Sequence, residues 1–185
     1  MAQMTKKALA ASLKKLLEQK PLSKITVTDI AEDCEINRHT FYYHFRDIYD
    51  LVEWIFCTEA EKAIGGNNTY DTWQQGVERL FKYALDNKKF ILGSYRSISK
   101  EQLMGFLERQ FFKVVDQVVE EQAVHLDISE KERTFVAEFY TYALSGIMLS
   151  WIEKDMKQDP EEIMTLLFTM MQGELDEVLQ RFVKK

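Results

Sequence analysis

The chain has 185 residues, of which 46% are hydrophobic, so it can bury the core of one large domain or of a small domain joined to a larger one. Only 2 prolines and 7 glycines occur, which favours long helices over turn-rich β architectures. There is no apolar run of about 18 residues and no apolar signal segment, so we expect a cytoplasmic protein that has no membrane partner.

The net charge of −6 belongs to the later part of the chain. Through Asp50 there are 8 Lys and Arg against 7 Asp and Glu, whereas the remaining 135 residues carry 16 against 23. This distribution excludes a polybasic protein that coats DNA, so DNA binding would need a few well-placed contacts. Cys34 and Cys57 lie in helical patterns, and free thiols in a reducing cytosol are their simplest interpretation.

The first predicted elements are three helices, of which the second and third are short. Leucines at helical spacing predict a helix over residues 6–19. Thr26 and Asp29, three residues apart, form the pattern of a capping box that begins a second helix. Asn37 is a favourable N-cap for a third helix over residues 38–45. A tight turn between the last two helices completes the order expected of a helix-turn-helix.

The rest of the chain predicts longer helices and no strand. They extend over residues 48–64, 71–87, 100–122, 129–155 and 160–182. Ser129 and Glu132 form another capping-box pattern at the start of the fourth of these helices. The only clear loop is the Gly-Gly-Asn-Asn-Thr segment at residues 65–69. We expect an all-α fold, with a three-helix helix-turn-helix domain over residues 1–47 and a larger helical domain over residues 48–185.

The third predicted helix carries donors and aromatic groups that its packing does not require. They are Arg38, His39, Thr40, Tyr42, Tyr43 and His44. An α-helix fits the DNA major groove, where such side chains meet base edges and phosphates. Thr26 and Thr28 begin the second helix, where free N–H groups and the helix dipole favour a phosphate. Periodicity alone also fits the surface of an ordinary three-helix subdomain.

The sequence ITVTDIA at residues 25–31, followed by TFYYHF at residues 40–45, resembles the DNA-binding domain of TetR-family transcription regulators. The resemblance covers roughly residues 6–51, including the spacing between the two segments. It implies a homodimer that binds a double-stranded DNA operator, with residues 48–185 as the helical regulatory domain, for effector binding and dimerisation. It also implies base contacts from Arg38, His39, Thr40 and Tyr43, phosphate contacts from Tyr42 and His44, and a further contact from Thr28.

Two residues depart from that family's pattern. Glu35 stands where a turn glycine is usual, so it must accept a strained backbone or reshape the turn. Ile48 stands where a phosphate-binding lysine is usual, and Arg46 is the nearby cation that can compensate. These departures predict weaker or more salt-sensitive DNA binding. They also support an alternative function, a protein-interaction module whose helix-turn-helix has lost DNA binding.

The second predicted domain is rich in aromatic residues, which fit either an apolar effector pocket or plain core packing. The candidate pocket residues are Trp54, Phe106, Phe139 and Trp151. Residues 139–151, with Lys-Lys-Phe at 88–90 upstream, resemble the Firmicutes subgroup that includes the dihydroxyacetone-kinase operon regulator. The aromatic composition favours an apolar small molecule as the partner that modulates DNA binding. The resemblance implies a protein co-regulator as the alternative.

The end of the chain is apolar on more than one helix face, so it needs two packing partners. Ala143 and Gly146, on the preceding helix, permit close helix approach. Together with Leu175 and Phe182, they suggest a four-helix dimer interface built from two helices of each subunit. A thicker core within one subunit is the alternative.

The sequence offers little for catalysis. Two of its three histidines lie on the third predicted helix, and there is neither a His-Glu-x-x-His motif nor a glycine-rich phosphate loop. Cys57 and His125 could in principle contact a metal ion, but two residues make a poor site. We therefore expect no enzyme activity, no cofactor and no metal.

Overall fold

The computed structural model describes residues 2–171 and 173–183, and within them the chain forms ten α-helices, one 3₁₀ turn and no strand. The helices are α1 (Ala2–Leu17), α2 (Val27–Asp33), α3 (Arg38–His44), α4 (Ile48–Ile64), α5 (Trp73–Asp86), α6 (Lys88–Tyr95), α7 (Lys100–Ala123), α8 (Glu130–Glu153), α9 (Pro160–Met171) and α10 (Glu174–Phe182). The 3₁₀ turn, Leu22–Lys24, lies between α1 and α2. The predicted all-α fold is confirmed.

The predicted helix caps are confirmed. In the capping box of α2, the Asp29 N–H donates to Thr26 Oγ1 at 3.1 Å and the Thr26 N–H donates to the Asp29 carboxylate at 2.7 Å. Asn37 caps α3 by accepting from the His39 N–H at 2.9 Å. Ser129 begins α8 with the other predicted capping box. These bonds satisfy backbone donors that have no partner inside the helix, so they fix where each helix begins.

Helix α4 connects the first three helices to the rest of the fold. Asp47 is its N-cap and accepts from the Asp50 N–H at 2.8 Å. The first turns of α4 still pack on the helix-turn-helix, because the Trp54 ring lies 5.8 Å from the Phe45 ring. Buried side chains then continue without a break from α1 to α10. The domain boundary expected at residue 47 stays a prediction.

Two element predictions are wrong. The single helix expected over residues 160–182 is interrupted, since Gly173 adopts a left-handed φ of 76° and separates α9 from α10. Helix α6 was not predicted at all. Only Asn87 separates it from α5, and the Asn87 amide donates to the Tyr83 carbonyl at 2.9 Å. No glycine or proline marks that break, so the usual sequence cues for a helix end are missing.

Helices α7 and α8 pack along each other and form the centre of the regulatory part. Among the described residues, α8 is the one helix whose length and composition would suit a membrane span. Within its most apolar stretch, 56% is buried inside the fold, as expected of a core helix.

Candidate nucleic-acid interface

Helix α3 has one face in the core and one in solvent. Phe41 is fully buried and Phe45 nearly so. On the other side, Arg38, His39 and Tyr42 are exposed, and the Tyr43 side chain is 83% exposed. A tyrosine this exposed contributes almost nothing to the packing of its own subunit, so it is available to a ligand.

Thr40 and His44 are half-buried at the edges of this face. The His44 ring lies edge-on to Tyr43, with 5.0 Å between the ring centroids. Thr28 is half-buried in the first turn of α2. The structure therefore places these residues on or beside the helix-turn-helix, where the sequence analysis expected them.

Thr26 is engaged within its own helix end. Its hydroxyl accepts from the Asp29 N–H and donates to the Asp29 carboxylate at 2.7 Å, while its own N–H donates to the same carboxylate. Both donors of Thr26 are thus used inside the capping box. A phosphate at this helix end would have to be held by Thr28 and by free backbone N–H groups instead.

Ion pairs neutralise two carboxylates of α2. Lys20 Nζ lies 2.9 Å from Asp29, and this contact together with the Thr26 hydrogen bonds lowers the pKa of Asp29 to about 2. Lys15 Nζ lies 2.5 Å from Asp33 and likewise lowers the pKa of that group. Both pairs lie near the surface, so they add little stability. They do reduce the repulsion that these carboxylates would exert on DNA phosphates.

The loop between α3 and α4 carries Arg46, whose guanidinium lies 3.4 Å from the Asp50 carboxylate and is largely exposed. Ile48, half-buried, is the first residue of α4. Tyr49 is exposed in the same helical turn and was not singled out in the sequence analysis. Its position beside Ile48, at a helix N-terminus, is the sequence feature that could have indicated a phosphate contact.

Glu35 follows Cys34, the C-cap of α2, in a left-handed conformation with a φ of 54°. The Ile36 N–H donates to the Ala31 carbonyl at 2.9 Å, which closes the turn. The turn therefore keeps a geometry that glycine adopts without strain. Of the two expected outcomes for Glu35, a strained backbone or a reshaped turn, the positive φ shows the first.

Replacing Glu35 with glycine is expected to stabilise the protein. Relief of left-handed strain outweighs the added freedom of the unfolded chain, so we expect a gain of about 0.5–1 kcal/mol, or about 1–4 °C in Tm. Thermal unfolding followed by circular dichroism measures the shift. As a control, Glu32→Gly in the regular part of α2 should lower Tm by a similar amount. Equal destabilisation by both variants would contradict the strain argument.

The four aromatic residues proposed for an effector pocket do not meet in one cavity. Trp54 packs on Phe45, and Phe139 is 61% exposed. Trp151 is buried against Phe81, and its indole N–H donates to the Gln158 carbonyl at 2.8 Å. Phe106 alone of the four lines an internal cavity, of about 30 Å³. Helical spacing alone cannot distinguish an aromatic residue that faces the core from one that faces outward.

The residues expected at a dimer interface are also divided. Ala143 and Gly146 line an apolar groove between α8 and α9. Leu175 instead faces a separate cavity within its own subunit, and Phe182 is half-buried on α10. Five apolar or aromatic residues of α8 and α9 are exposed, and none of them is among the four residues predicted for an interface. They are Phe135, Phe139, Tyr142, Leu166 and Met170.

Cys57 and His125 are far apart. Cys57 accepts from the Gln110 amide at 3.8 Å, in the middle of α7, whereas His125 follows the end of that helix. The 15-residue separation corresponds to about 22 Å of helix. Within residues 2–171 and 173–183, no group of three or more His, Cys, Asp or Glu side chains is arranged to hold a metal ion.

Two family profiles match the chain. Residues 9–55 match bacterial regulatory proteins of the tetR family. Residues 71–173, more than half of the chain, match a transcriptional regulator C-terminal region of the TetR type.

Individual relatives agree with these profiles. The HTH-type dhaKLM operon transcriptional activator DhaS of Lactococcus lactis subsp. lactis (strain IL1403) is 27% identical over 145 residues, which are 77% of this chain and 76% of DhaS. The uncharacterised HTH-type transcriptional regulator YxbF of Bacillus subtilis (strain 168) is 24% identical over 162 residues, which are 80% of this chain and 40% of YxbF.

Two solved structures share the fold. The dihydroxyacetone kinase operon activator DhaS superposes with a TM-score of 0.71 at 24% identity, covering 97% of this chain and 98% of that one. The TetR family repressor AlkX from Dietzia sp. strain DQ12-45-1b superposes with a TM-score of 0.59 at 15% identity, covering 94% and 96%. The chain therefore belongs to the TetR family of bacterial regulatory proteins, and it is a DNA-binding transcription regulator.

Proposed function

We propose that this regulator binds a double-stranded operator as a cytoplasmic homodimer, with α3 of each subunit in the major groove. The exposed face of α3 carries the proposal, since it presents Arg38, His39 and Tyr43 without a packing role. These side chains and Thr40 would contact base edges. Phosphate contacts would come from Tyr42, His44, Thr28 and Arg46.

Gel-shift titration against the promoter region of the protein's own operon tests this function. We expect one operon fragment to be bound more tightly than bulk DNA of the same length, with the preference retained as salt rises. Equal affinity for all fragments at low salt would contradict the proposal and favour an interaction module that has lost DNA binding.

Ile48 provides a prediction about the electrostatic part of binding. Ile48→Lys places a cation in the first turn of α4, where one more phosphate contact becomes possible. We expect tighter binding to operator and to bulk DNA alike, with the slope of log K against log salt steeper by about 1. The control is Leu85→Lys, which adds the same charge at an exposed position of α5. Ile64 is buried, so Ile64→Lys is not a suitable control. An Ile48→Lys slope no steeper than that of Leu85→Lys would contradict the proposed phosphate position.

A second copy of the chain is the proposed occupant of the groove between α8 and α9. Exposed Tyr142, Leu166 and Met170 border the groove, and Ala143 and Gly146 allow close approach at its floor. In an isologous interface, each copy would cover the other's groove with the same two helices, giving the four-helix arrangement. This surface replaces Leu175 and Phe182 as the centre of the proposed interface.

The proposed effector site is the internal cavity bounded by α4, α5, α6, α7 and α8. It is lined almost wholly by apolar side chains, among them Phe56, Leu80 and Phe106. Its volume of about 30 Å³ leaves room for about one water molecule, so a ligand must push its walls apart. The lining favours an apolar molecule, because a hydrophilic one would lose hydrogen bonds to water without replacement.

The small size of the cavity also supports a second candidate for the source of the regulatory signal, a protein co-regulator that docks on the outer surface. If dihydroxyacetone is the signal, as the similarity to DhaS suggests, we expect no direct binding to this chain. Calorimetry with dihydroxyacetone measures this directly, and saturable binding at physiological concentration would contradict the assigned cavity chemistry. An increase in Tm with hydrophobic compounds, such as alkylbenzenes, would support a small molecule over a protein partner as the source of the signal.

A further inference from the structure

Lys14 joins the helix-turn-helix to the regulatory part through several contacts. Its Nζ lies 2.5 Å from Glu59 Oε2 of α4 and donates to Asn87 Oδ1, between α5 and α6, at 3.1 Å. The same ammonium lies 5.1 Å from the ring centroid of Phe90 on α6. The Lys14 and Glu59 side chains are only 26% and 30% exposed. The pair is therefore better shielded from solvent than an ordinary surface ion pair.

Tyr83 of α5 completes this junction. Its hydroxyl donates to the same Glu59 oxygen that Lys14 contacts. The ammonium of Lys14 also lies 5.8 Å from the centroid of the Tyr83 ring. Burial, and then the hydrogen bond to Glu59, raises the pKa of Tyr83, so the phenol stays protonated and remains a donor. We call Lys14, Glu59, Tyr83 and Asn87 the α1 junction.

The Tyr83 ring is at the same time a wall of the internal cavity. Of the described side chains that line this cavity, Tyr83 alone carries a hydroxyl group, and that hydroxyl is bound to Glu59. One residue thus contacts both the space that a ligand would enlarge and the carboxylate that holds Lys14. A ligand that pushes this side of the cavity outward must move the Tyr83 ring, and with it the hydroxyl that donates to Glu59.

We propose that Tyr83 is a positioning residue that transmits occupancy of the internal cavity to the helix-turn-helix through Glu59 and Lys14. The inference rests on the proposed effector site. Filling the cavity displaces the Tyr83 ring, weakens the hold of Glu59 on Lys14, and loosens the packing of α1 on α4 and α6. Because α1 packs on α2 and α3, its release changes the orientation of the recognition helix. The junction favours one orientation, and a ligand shifts the population toward another.

Two other ion pairs on α4 provide matched controls. Arg109 and Lys113 of α7 lie 2.6 Å from Glu53 and Glu61 of α4. Both pairs are about half-exposed, and both connect two regulatory helices without touching α1. Removing the Lys113–Glu61 pair therefore tests the loss of a Lys–Glu contact on α4 while the α1 junction stays intact.

Hydrogen–deuterium exchange of the full-length protein, without DNA, tests the junction. In Tyr83→Phe, which keeps the ring but removes the hydroxyl, we expect amides of α1 to exchange about five- to tenfold faster, with α7 and α8 unchanged. Lys14→Met should give the same pattern, Lys14→Arg should restore most of the protection, and Lys113→Gln should leave α1 unchanged. Faster exchange in all helices of Tyr83→Phe would indicate general destabilisation and would overturn the proposal, as would unchanged exchange in α1.

Operator affinity gives a second readout that is independent of exchange. The effects of Tyr83→Phe and Lys14→Met should be non-additive when combined, because both break one junction. Each should change affinity at least about threefold, while Lys113→Gln changes it less than twofold. Additive effects would overturn the coupling. If wild-type protein binds no operator, the proposed function fails, whereas the exchange pattern still decides whether the junction exists.

Discussion

Tyr43→Ala is expected to remove most of the preference for the operator while leaving the fold intact. The side chain is 83% exposed, so its truncation costs no core packing. Loss of one base contact should cost about 1–3 kcal/mol, which is about 5- to 150-fold in operator affinity. Arg38→Ala, also at an exposed position of α3, should have an effect of similar size. Quantitative gel shifts with operator and scrambled DNA measure both variants.

Tyr42→Ala is the matched comparison for this experiment. Tyr42 lies beside Tyr43 on α3 and is assigned to a phosphate, so its loss should weaken operator and scrambled DNA equally. Unchanged Tm in all three variants would show that the fold is intact. If Tyr43→Ala weakens both DNAs equally, the residue contacts the backbone and its assignment to a base is wrong.

Leu166→Glu is expected to convert the protein from a dimer into monomers of 21.8 kDa. The leucine is 63% exposed in one subunit, so the substitution does not disturb the subunit's own core. In the dimer its carboxylate would lie in an apolar interface without a partner, which is strongly unfavourable. Operator affinity should then fall by on the order of 100-fold, because the two half-sites are no longer bound together. Light scattering at micromolar concentration gives the mass.

Thr165→Glu is the control for charge and helix propensity. Thr165 is exposed one position earlier on α9, about 100° around the helix, away from the groove. We expect this variant to stay dimeric. A wild-type protein that is monomeric at high concentration would contradict the dimer, and a dimer that tolerates Leu166→Glu and Phe139→Glu would place its interface elsewhere. Leu175→Glu is a poorer test because Leu175 packs within its own subunit.

Features set by local chemistry could be predicted from the sequence. The caps at Thr26, Asn37 and Ser129 need only neighbouring residues, and the recognition face of α3 follows from the inward positions of Phe41 and Phe45. The α1 junction could not be predicted, since Lys14 and Glu59 are 45 positions apart and meet only through packing. The exposure of Phe139 could not be predicted for a related reason. Its spacing fits a core position and an interface position equally well.

The central claim is that two copies of α3 read two half-sites on one face of DNA. DNase footprinting of the wild-type protein on its own operon tests this most directly. We predict one protected inverted repeat, with half-site centres about 34–36 Å apart or a multiple of that distance, and loss of this footprint in Tyr43→Ala. Uniform protection without a repeat, or a footprint that Tyr43→Ala leaves unchanged, would contradict the account.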